Sequence, residues 1–272
     1  MNAPQYPEFL RDFGFAAASR LQSRWTVVNE LRLHSRSSDE SNGSIPFVLI
    51  HGLVISSLYL IPLAEYLSIK QPVYVLDMPG FGRSEHPAAV LSIPQLAEWV
   101  IAWMSESGIR RCHLVGQSLG CQVAAHVAAK APELVVSLSL IGPTLDPQAF
   151  AVVIQTCRLF KDGLHEPLRL WMNWAVDFFR AGIRRAIGTT REMFRDHIEF
   201  QLPLLMAPTL VIRGGIDPTV PQAAAVFMTD LLTHGALMAI EGEPHCVHYT
   251  KPQLVSGAIE AHARSALTYP SK

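Results

Sequence analysis

The stretch CHLVGQSLGCQVAAHVAAK, residues 112–130, decides the fold. Its apolar start predicts a buried strand, and the small and aliphatic residues of 119–130 predict a helix directly after it. The pattern Gly-Gln-Ser-Leu-Gly joins the two, so Ser118 stands where a strand turns sharply into a helix. Such a turn leaves room only for hydrogen side chains at Gly116 and Gly120, and it projects the serine above the sheet. The helix N-terminus beside the hydroxyl favours negative charge. This context predicts a nucleophilic serine.

Short aliphatic runs of the same kind recur along the chain and predict further strands. They lie at residues 47–50, 73–77, 136–142, 209–214 and 236–240. Several do not alternate with polar residues, which is typical of strands buried on both faces. Helical patterns lie between most of them, at 58–68, 94–107, 119–130, 221–232 and 253–265. The alternation predicts βαβ units, that is, a parallel sheet with helices on both faces. Residues 25–36 predict a two-stranded hairpin around Asn29-Glu30.

Two segments fall outside this alternation. Residues 145–206 have helical spacing and no strand pattern, which predicts a helical cap over the edge of the sheet where open α/β sheets bind ligands. Residues 1–24 predict a helical extension with Phe9, Phe13 and Leu21 on its apolar side. The domain prediction is therefore an N-terminal extension (1–24), a core formed by 25–144 and 207–272, and a cap (145–206).

Composition narrows the class of protein. The chain has 272 residues, of which 49% are hydrophobic and 17% charged, with a net charge of −1. This much apolar surface excludes intrinsic disorder, and the charge balance gives no reason to expect nucleic acid as a partner. The N-terminus has no uninterrupted apolar stretch typical of a signal peptide, and no apolar run is long enough for a membrane span. The four cysteines have no metal-ligand spacing. We therefore expect a cytoplasmic protein without metal or cofactor.

Several motifs in order give the chain a resemblance to the α/β-hydrolase superfamily over about residues 25–268. They are His51-Gly52, the segment DMPGFGRS at 77–84, the turn at Ser118, the segment GGID ending at Asp217, and a late His245. The resemblance implies an α/β-hydrolase fold: a mostly parallel eight-stranded sheet flanked by helices, with a helical cap insertion. It also implies the chain order serine, acid, histidine for a catalytic triad.

The acid and the base each have a preferred candidate and a rival. Asp217 follows the strand at 209–214, where a carboxylate can reach a histidine ring, although it could instead cap the next helix. Asp146 is the alternative acid, while Asp77 fits a structural turn better. His245 matches the position of the family's catalytic histidine, and His248 is its rival.

The resemblance also places an oxyanion hole. Acyl transfer needs two preorganised N–H donors, each typically contributing about 3–4 kcal/mol. The backbone N–H groups of Leu119 and Leu53 are the candidates. His51 is expected to support the loop that carries Leu53 through a hydrogen bond. This loop is the short HGLVIS segment, in contrast to the HGGG form of many lipases and esterases.

The predicted mechanism follows from these roles. Ser118 attacks a carbonyl carbon, His245 takes the hydroxyl proton and gives it to the leaving group, and Asp217 holds the imidazole. Water then hydrolyses the acyl-enzyme. Activity should fall as pH drops through about 6–7, where an ordinary histidine is protonated.

The sequence constrains the substrate less. Trp171, Trp174 and Phe178 of the cap favour an apolar acyl or aryl group, although they could equally form the cap's own core, and His248 could line the same pocket. We expect a small-molecule substrate and a monomer or homodimer. The main hypothesis is hydrolysis of a carboxylic ester, lactone or thioester. The alternatives are a C–C bond hydrolase resembling those that act on meta-ring-fission products, and a lyase or ligand receptor. The HGLVIS loop and Cys121 depart from the C–C hydrolase pattern.

Overall fold

Eight strands form one sheet in the computed structural model, which describes residues 20–38, 43–143, 158, 161–163, 166 and 168–268. The strands are β1 (Gln22–Val28), β2 (Leu31–Ser37), β3 (Phe47–Ile50), β4 (Val73–Leu76), β5 (Cys112–Gln117), β6 (Val135–Ile141), β7 (Thr209–Gly214) and β8 (Gly235–Ile240). Their order is β1-β2-β4-β3-β5-β6-β7-β8. The first two strands pair antiparallel and β2 is antiparallel to β4, whereas all later pairs are parallel. The fold class predicted from the motifs is thus confirmed.

Helices cover the sheet and form the insertion. They are α1 (Ile61–Leu67), α2 (Ile93–Glu106), α3 (Leu119–Lys130), α4 (Leu168–Ala181), α5 (Ile183–Arg195), α6 (Gln222–Asp230), α7 (Val247–Thr250) and α8 (Pro252–Ala266). Short 3₁₀ turns lie at Ser57–Leu60, Pro132–Leu134, Ile198–Phe200 and Leu202–Leu204. None of the helices in the described ranges is long and apolar enough to cross a membrane.

The core lies on both faces of the central strands. Every residue of β3, β5 and β7 is buried, which explains why their sequences do not alternate. One apolar cluster surrounds the fully buried Trp103 of α2, and another packs α1 and α8 against the opposite face. The sheet is therefore a rigid platform, and the carboxyl ends of its parallel strands meet at one edge.

The N-terminal boundary differs from the prediction. Strand β1 begins at Gln22, so a helical extension reaching residue 24 is wrong at its end, and residues 1–19 lie outside the described part of the chain. The hairpin itself turns at Asn29 and Glu30, whose φ angles are 44° and 70°. Two left-handed residues are what a tight hairpin turn with the correct twist requires. The hairpin predicted over residues 25–36 is present, but the start of β1 was missed because its first residues are exposed and several are polar.

The region between β6 and β7 contains α4, α5 and two 3₁₀ turns in its described residues, with no strand. Polar contacts join this region to α3 and to the loop before α2. The side-chain amide of Gln122 in α3 donates to the Met193 carbonyl oxygen at 3.0 Å, and Nε2 of His126 lies 2.7 Å from Oδ1 of Asp196. Arg185 donates to the Pro87 carbonyl oxygen at 2.9 Å. Asp146, the alternative acid, lies outside the described residues.

Candidate active site

The strand-to-helix turn at Ser118 has the strained geometry expected from its glycines. Ser118 has a φ of 55° and a ψ of −123°, a conformation that side chains rarely adopt. A Cβ atom on Gly116 would collide with the backbone of Gly120, and one on Gly120 would collide with the carbonyl oxygen of Ile50. Backbone packing at this point therefore excludes any larger residue. The strain holds the serine above the carboxyl ends of β5 and β3.

His245 and Asp217 meet at the same edge from two other loops. Nδ1 of His245 lies 2.8 Å from Oδ2 of Asp217. The other carboxylate oxygen, Oδ1, accepts hydrogen bonds from the backbone N–H of Thr219 at 2.7 Å and from its hydroxyl at 2.6 Å. Oγ1 of Thr219 also lies 2.9 Å from Nδ1 of His245. These contacts place the ring proton on Nδ1 and leave Nε2 as the basic nitrogen.

Close packing fixes the loop that carries His245. A Cβ on Gly142, whose φ is 56°, would lie 2.7 Å from Cε1 of the His245 ring. A Cβ on Gly214 would collide with the carbonyl oxygens of Glu243 and Pro244. The backbone N–H of Ile216 donates to the Glu243 carbonyl oxygen at 3.1 Å. The ends of β6 and β7 therefore leave just enough space for the imidazole and its loop.

The electrostatics of the histidine–carboxylate pair follow from its burial and its charges. Burial lowers the pKa of His245, but the nearby carboxylates, Asp217 foremost, outweigh it and raise the pKa above its ordinary 6.5. Burial raises the pKa of Asp217, but His245 and the hydrogen bonds from Thr219 outweigh it and hold the pKa below its ordinary range. Asp217 is therefore ionised at neutral pH, as an orienting carboxylate must be.

The two predicted oxyanion-hole residues flank Ser118. Leu119 is the first residue of α3, where backbone N–H groups have no partner within the helix. Leu53 follows Gly52, and a Cβ on Gly52 would lie only 3.0 Å from Cβ of Ser118. The next residue, Val54, has a φ of 52°, which is unusual for a β-branched side chain and indicates strain in this loop.

His51 links the Leu53 loop to the end of β4. Its Nδ1 donates to the Gly52 carbonyl oxygen at 2.9 Å, and its Nε2 accepts from the backbone N–H of Met78 at 3.0 Å. Burial lowers the pKa of His51, so the ring stays neutral and both bonds persist at neutral pH. This is the supporting contact that the sequence predicts for His51.

Ser118 and His245 open into one large, mainly apolar cavity of about 960 Å³. The aromatic wall is formed by three cap residues singled out in the sequence, Trp171, Trp174 and Phe178. Trp174 and Phe178 stack with ring centroids 5.1 Å apart. Leu53 also lines the cavity. The cap residues are thus brought to the same space as the serine and the histidine.

His248 lies elsewhere than expected. It is fully buried and is not among the residues that line the cavity. Its ring packs edge-on against Tyr59 with centroids 4.5 Å apart. Burial lowers its pKa to about 3, so it stays neutral. His248 therefore lies in the protein interior, packed against Tyr59. The structure places it neither as the base nor at the cavity wall.

Sequence reasoning missed four residues beside the site: Thr219, Tyr59, Asp162 and Glu166. Thr219 could have been identified, because a hydroxyl two residues after a candidate acid can bond to its carboxylate. Tyr59, Asp162 and Glu166 carry no local signal, since their contacts to the site are long-range. Among the described residues, no three histidine, cysteine or acidic side chains are grouped so that they could hold a metal ion.

Comparisons with known proteins show the family and the fold. The model of the alpha/beta hydrolase fold family matches residues 45–200. The (E)-2-((N-methylformamido)methylene)succinate hydrolase of Acinetobacter baylyi is 26% identical over 240 residues, covering 79% of this chain and 89% of that protein. A pimeloyl-[acyl-carrier protein] methyl ester esterase of Aeromonas hydrophila is 26% identical over 245 residues, covering 78% and 93%. A solved esterase from Thermogutta terrifontis superposes with a TM-score of 0.75 at 19% identity, covering 91% of this chain and all of that one, which shows a shared fold.

Proposed function

Because the chain belongs to the alpha/beta hydrolase family and its relatives include a hydrolase and an esterase, we propose that it cleaves a carboxylic ester, lactone or thioester through an acyl-enzyme on Ser118. One observation carries the proposal. Ser118 sits at a strained turn on the wall of the cavity that His245 also lines, while Nδ1 of His245 is held by Asp217 at 2.8 Å. A histidine held in this way beside a serine on the same cavity can act as the base that activates the hydroxyl once the ring is neutral, which supports the proposal.

The reaction proceeds in two halves. Nε2 of His245 takes the proton of the Ser118 hydroxyl as Oγ attacks the carbonyl carbon, and the oxygen that becomes negative receives the N–H groups of Leu53 and Leu119. The imidazolium then protonates the leaving group, and the C–O or C–S bond breaks. In the second half, a water molecule gives its proton to His245 and attacks the acyl carbon, which releases the acid and restores Ser118.

The cavity supports an apolar acyl or aryl group. Its volume of about 960 Å³ lies at the upper end of the range for small-molecule sites, and its cap wall is aromatic. One relative is named as a methyl ester esterase and another as a hydrolase of a substituted succinate. The relatives therefore support the hydrolase class. The choice of ester substrates rests on the apolar cavity and on the relative named as a methyl ester esterase.

The experiment combines an active-site label with a substrate panel. The protein is incubated with a fluorophosphonate, and the adduct is located by mass spectrometry. A panel of p-nitrophenyl esters of graded chain length is assayed beside a dienoate ring-fission product. S118A is the test variant, and S256A, which removes a buried serine hydroxyl in α8, is the matched control.

An adduct on Ser118, ester turnover that S118A abolishes, and normal activity of S256A would support the proposal. Faster loss of the dienoate colour than of any ester would favour the C–C hydrolase instead. Absence of both adduct and turnover would contradict an enzymatic role and leave the ligand-receptor alternative.

A further inference from the structure

Two carboxylates of the cap segment hold the backbone of the histidine loop. The backbone N–H of His245 donates to Oδ1 of Asp162 at 2.9 Å. The backbone N–H of the next residue, Cys246, donates to Oε1 of Glu166 at 2.8 Å. Both bonds join parts of the chain at least 80 residues apart. Two consecutive N–H groups of the loop are therefore held by carboxyl oxygens from the cap, and such bonds are stronger when the carboxyl group is ionised.

The core of the protein holds the same loop through separate contacts. On the core side, Gly214 and Gly215 pack closely against residues 240–244, and Asp217 holds the ring nitrogen. Among the described contacts, the backbone N–H groups of His245 and Cys246 donate no hydrogen bonds besides those to Asp162 and Glu166. The position of the imidazole thus depends on both the core and the cap.

The segment carrying the two carboxylates is itself fixed by the aromatic wall. The indole N–H of Trp171 donates to the Gly163 carbonyl oxygen at 2.9 Å. A Cβ on Gly163 would collide with the Trp171 ring, so the backbone at Gly163 packs directly against the indole. Asp162, Glu166 and Trp171 all line the cavity. The group that contacts an apolar substrate is therefore in direct contact with the segment that holds the histidine loop.

The same carboxylates change the charge around the imidazole. Among the described residues, Asp217, Asp162 and Glu166 raise the pKa of His245, and the neutral His248, the thiol of Cys246, Tyr59 and Arg213 lie around this group. Burial raises the pKa of Glu166 to about 7, and the neighbouring Asp162 adds to the rise. Burial also raises the pKa of Asp162. When ionised, the two cap acids add negative charge beside the histidine that Asp217 already holds, and Glu166 gains this charge only as the pH rises through about 7.

We propose that Asp162 and Glu166 are positioning residues for the reaction, which hold the His245 loop through its backbone so that a seated cap fixes the imidazole against Ser118. The inference rests on the proposed function. It assigns the cap a part in catalysis besides forming the walls of the substrate cavity.

The test uses two kinds of variant with a p-nitrophenyl ester. D162N and E166Q keep an acceptor oxygen but lose the charge, whereas the double variant D162A/E166A loses both acceptors. With the charge gone, the pKa of His245 falls, so the acid limb of kcat/KM in D162N should move to lower pH by about one unit while kcat changes little. The double variant should lose about tenfold or more in kcat, because small displacements of a catalytic group are costly, with KM within about twofold.

E199Q is the control, because Glu199 is a cap carboxylate that pairs with His197 and does not line the cavity. Its pH profile and kcat should match the wild type. The pH-dependence of fluorophosphonate labelling of Ser118 gives a second readout without substrate. A loss of thermal stability with an unmoved acid limb would indicate a merely structural role and overturn the inference.

The two proposals fail in distinguishable ways. If the wild type labels at Ser118 and hydrolyses esters but all three variants keep its kcat and its pH profile, the positioning role is wrong and the proposed function stands. If the wild type shows neither labelling nor turnover, the proposed function falls and the positioning role falls with it.

Discussion

Asp217 holds His245 with one oxygen and its own loop with the other. Oδ2 lies 2.8 Å from Nδ1 of the ring, while Oδ1 accepts two hydrogen bonds from Thr219 and one from the backbone N–H of Val220 at 3.3 Å. The sequence left two interpretations open, a catalytic acid or a carboxylate that caps the next helix. Helix α6 has Pro221 as its N-cap and no side-chain cap, so Asp217 binds the turn before the helix and the His245 ring but does not cap the helix. The turn contacts orient the carboxylate, and the carboxylate orients the ring.

Thr219 provides the first prediction. T219V keeps the shape but removes a hydroxyl that bonds to Asp217 at 2.6 Å and lies 2.9 Å from Nδ1 of His245. We expect kcat for a p-nitrophenyl ester to fall by about tenfold, because Asp217 and the His245 ring both lose the hydroxyl that holds them in position. KM should change little, since Thr219 does not line the cavity. T229V, which removes an α6 hydroxyl bonded to the Ala225 carbonyl oxygen, is the control. Equal kcat values for T219V and the wild type would contradict this role.

The pH dependence provides the second prediction. His245 must be neutral to accept the Ser118 proton, and neighbouring carboxylates raise its pKa above 6.5. Lowering the pH protonates the ring, so kcat/KM should fall as the pH drops through a midpoint raised from 6.5 to about 9, well above the 6–7 expected from an ordinary histidine. Initial rates between pH 5 and 10 check this. A profile that stays flat from pH 5 to 8 would exclude His245 as the base.

The turn at Ser118 provides the third prediction. In G120A the new methyl group would collide with the Ile50 carbonyl oxygen, and we expect the free energy of unfolding to fall by about 2–3 kcal/mol. G257A is a matched control, because Gly257 lies within α8 with open space around it. That change should stabilise the protein by about 0.5–1 kcal/mol through helix propensity. Urea unfolding of both variants measures the difference. Similar stabilities for the two variants would show that the turn tolerates a side chain.

Much of the site could be predicted because its residues are tied to strand ends. Ser118 and Asp217 follow the buried strands β5 and β7, and His245 follows β8, which is apolar in sequence but largely exposed. The carboxyl ends of these parallel strands share one edge of the sheet. The contacts of Asp162 and Glu166 could not be predicted, because they bridge at least 80 residues through a segment with no strand pattern. The prediction that His248 lies in the substrate cavity was wrong for a related reason. Its spacing from His245 says nothing of α7, which directs it into the core beside Tyr59.

Asp77 provides the fourth prediction, on stability. It accepts hydrogen bonds from the backbone N–H groups of Ser57 at 2.6 Å and Arg83 at 3.0 Å, and it lies 2.7 Å from Nδ1 of His34. It therefore anchors the turn after β4, as the sequence suggested. Burial raises the pKa of Asp77, but its bond to His34 and the other contacts outweigh this and lower the pKa well below its ordinary value.

A depressed folded-state pKa contributes stability above the unfolded pKa of about 3.9, and this contribution is lost as the pH falls below it. D77N should therefore lower the free energy of unfolding by about 2–3 kcal/mol at pH 7, with a smaller difference from the wild type near pH 3. Urea unfolding at the two pH values measures both. A difference that is as large at pH 3 as at pH 7 would show that the charge of Asp77 contributes nothing.

The central claim is that Ser118 forms an acyl-enzyme. Rapid mixing of the protein with a p-nitrophenyl ester tests it most directly, with the quenched protein weighed intact by mass spectrometry. The claim predicts that wild-type protein gains one acyl group, mapped to Ser118, and that a product burst of up to one equivalent appears wherever deacylation is the slow step. S118A should show neither. Steady turnover by S118A, or an acyl group carried on a different residue, would contradict the claim.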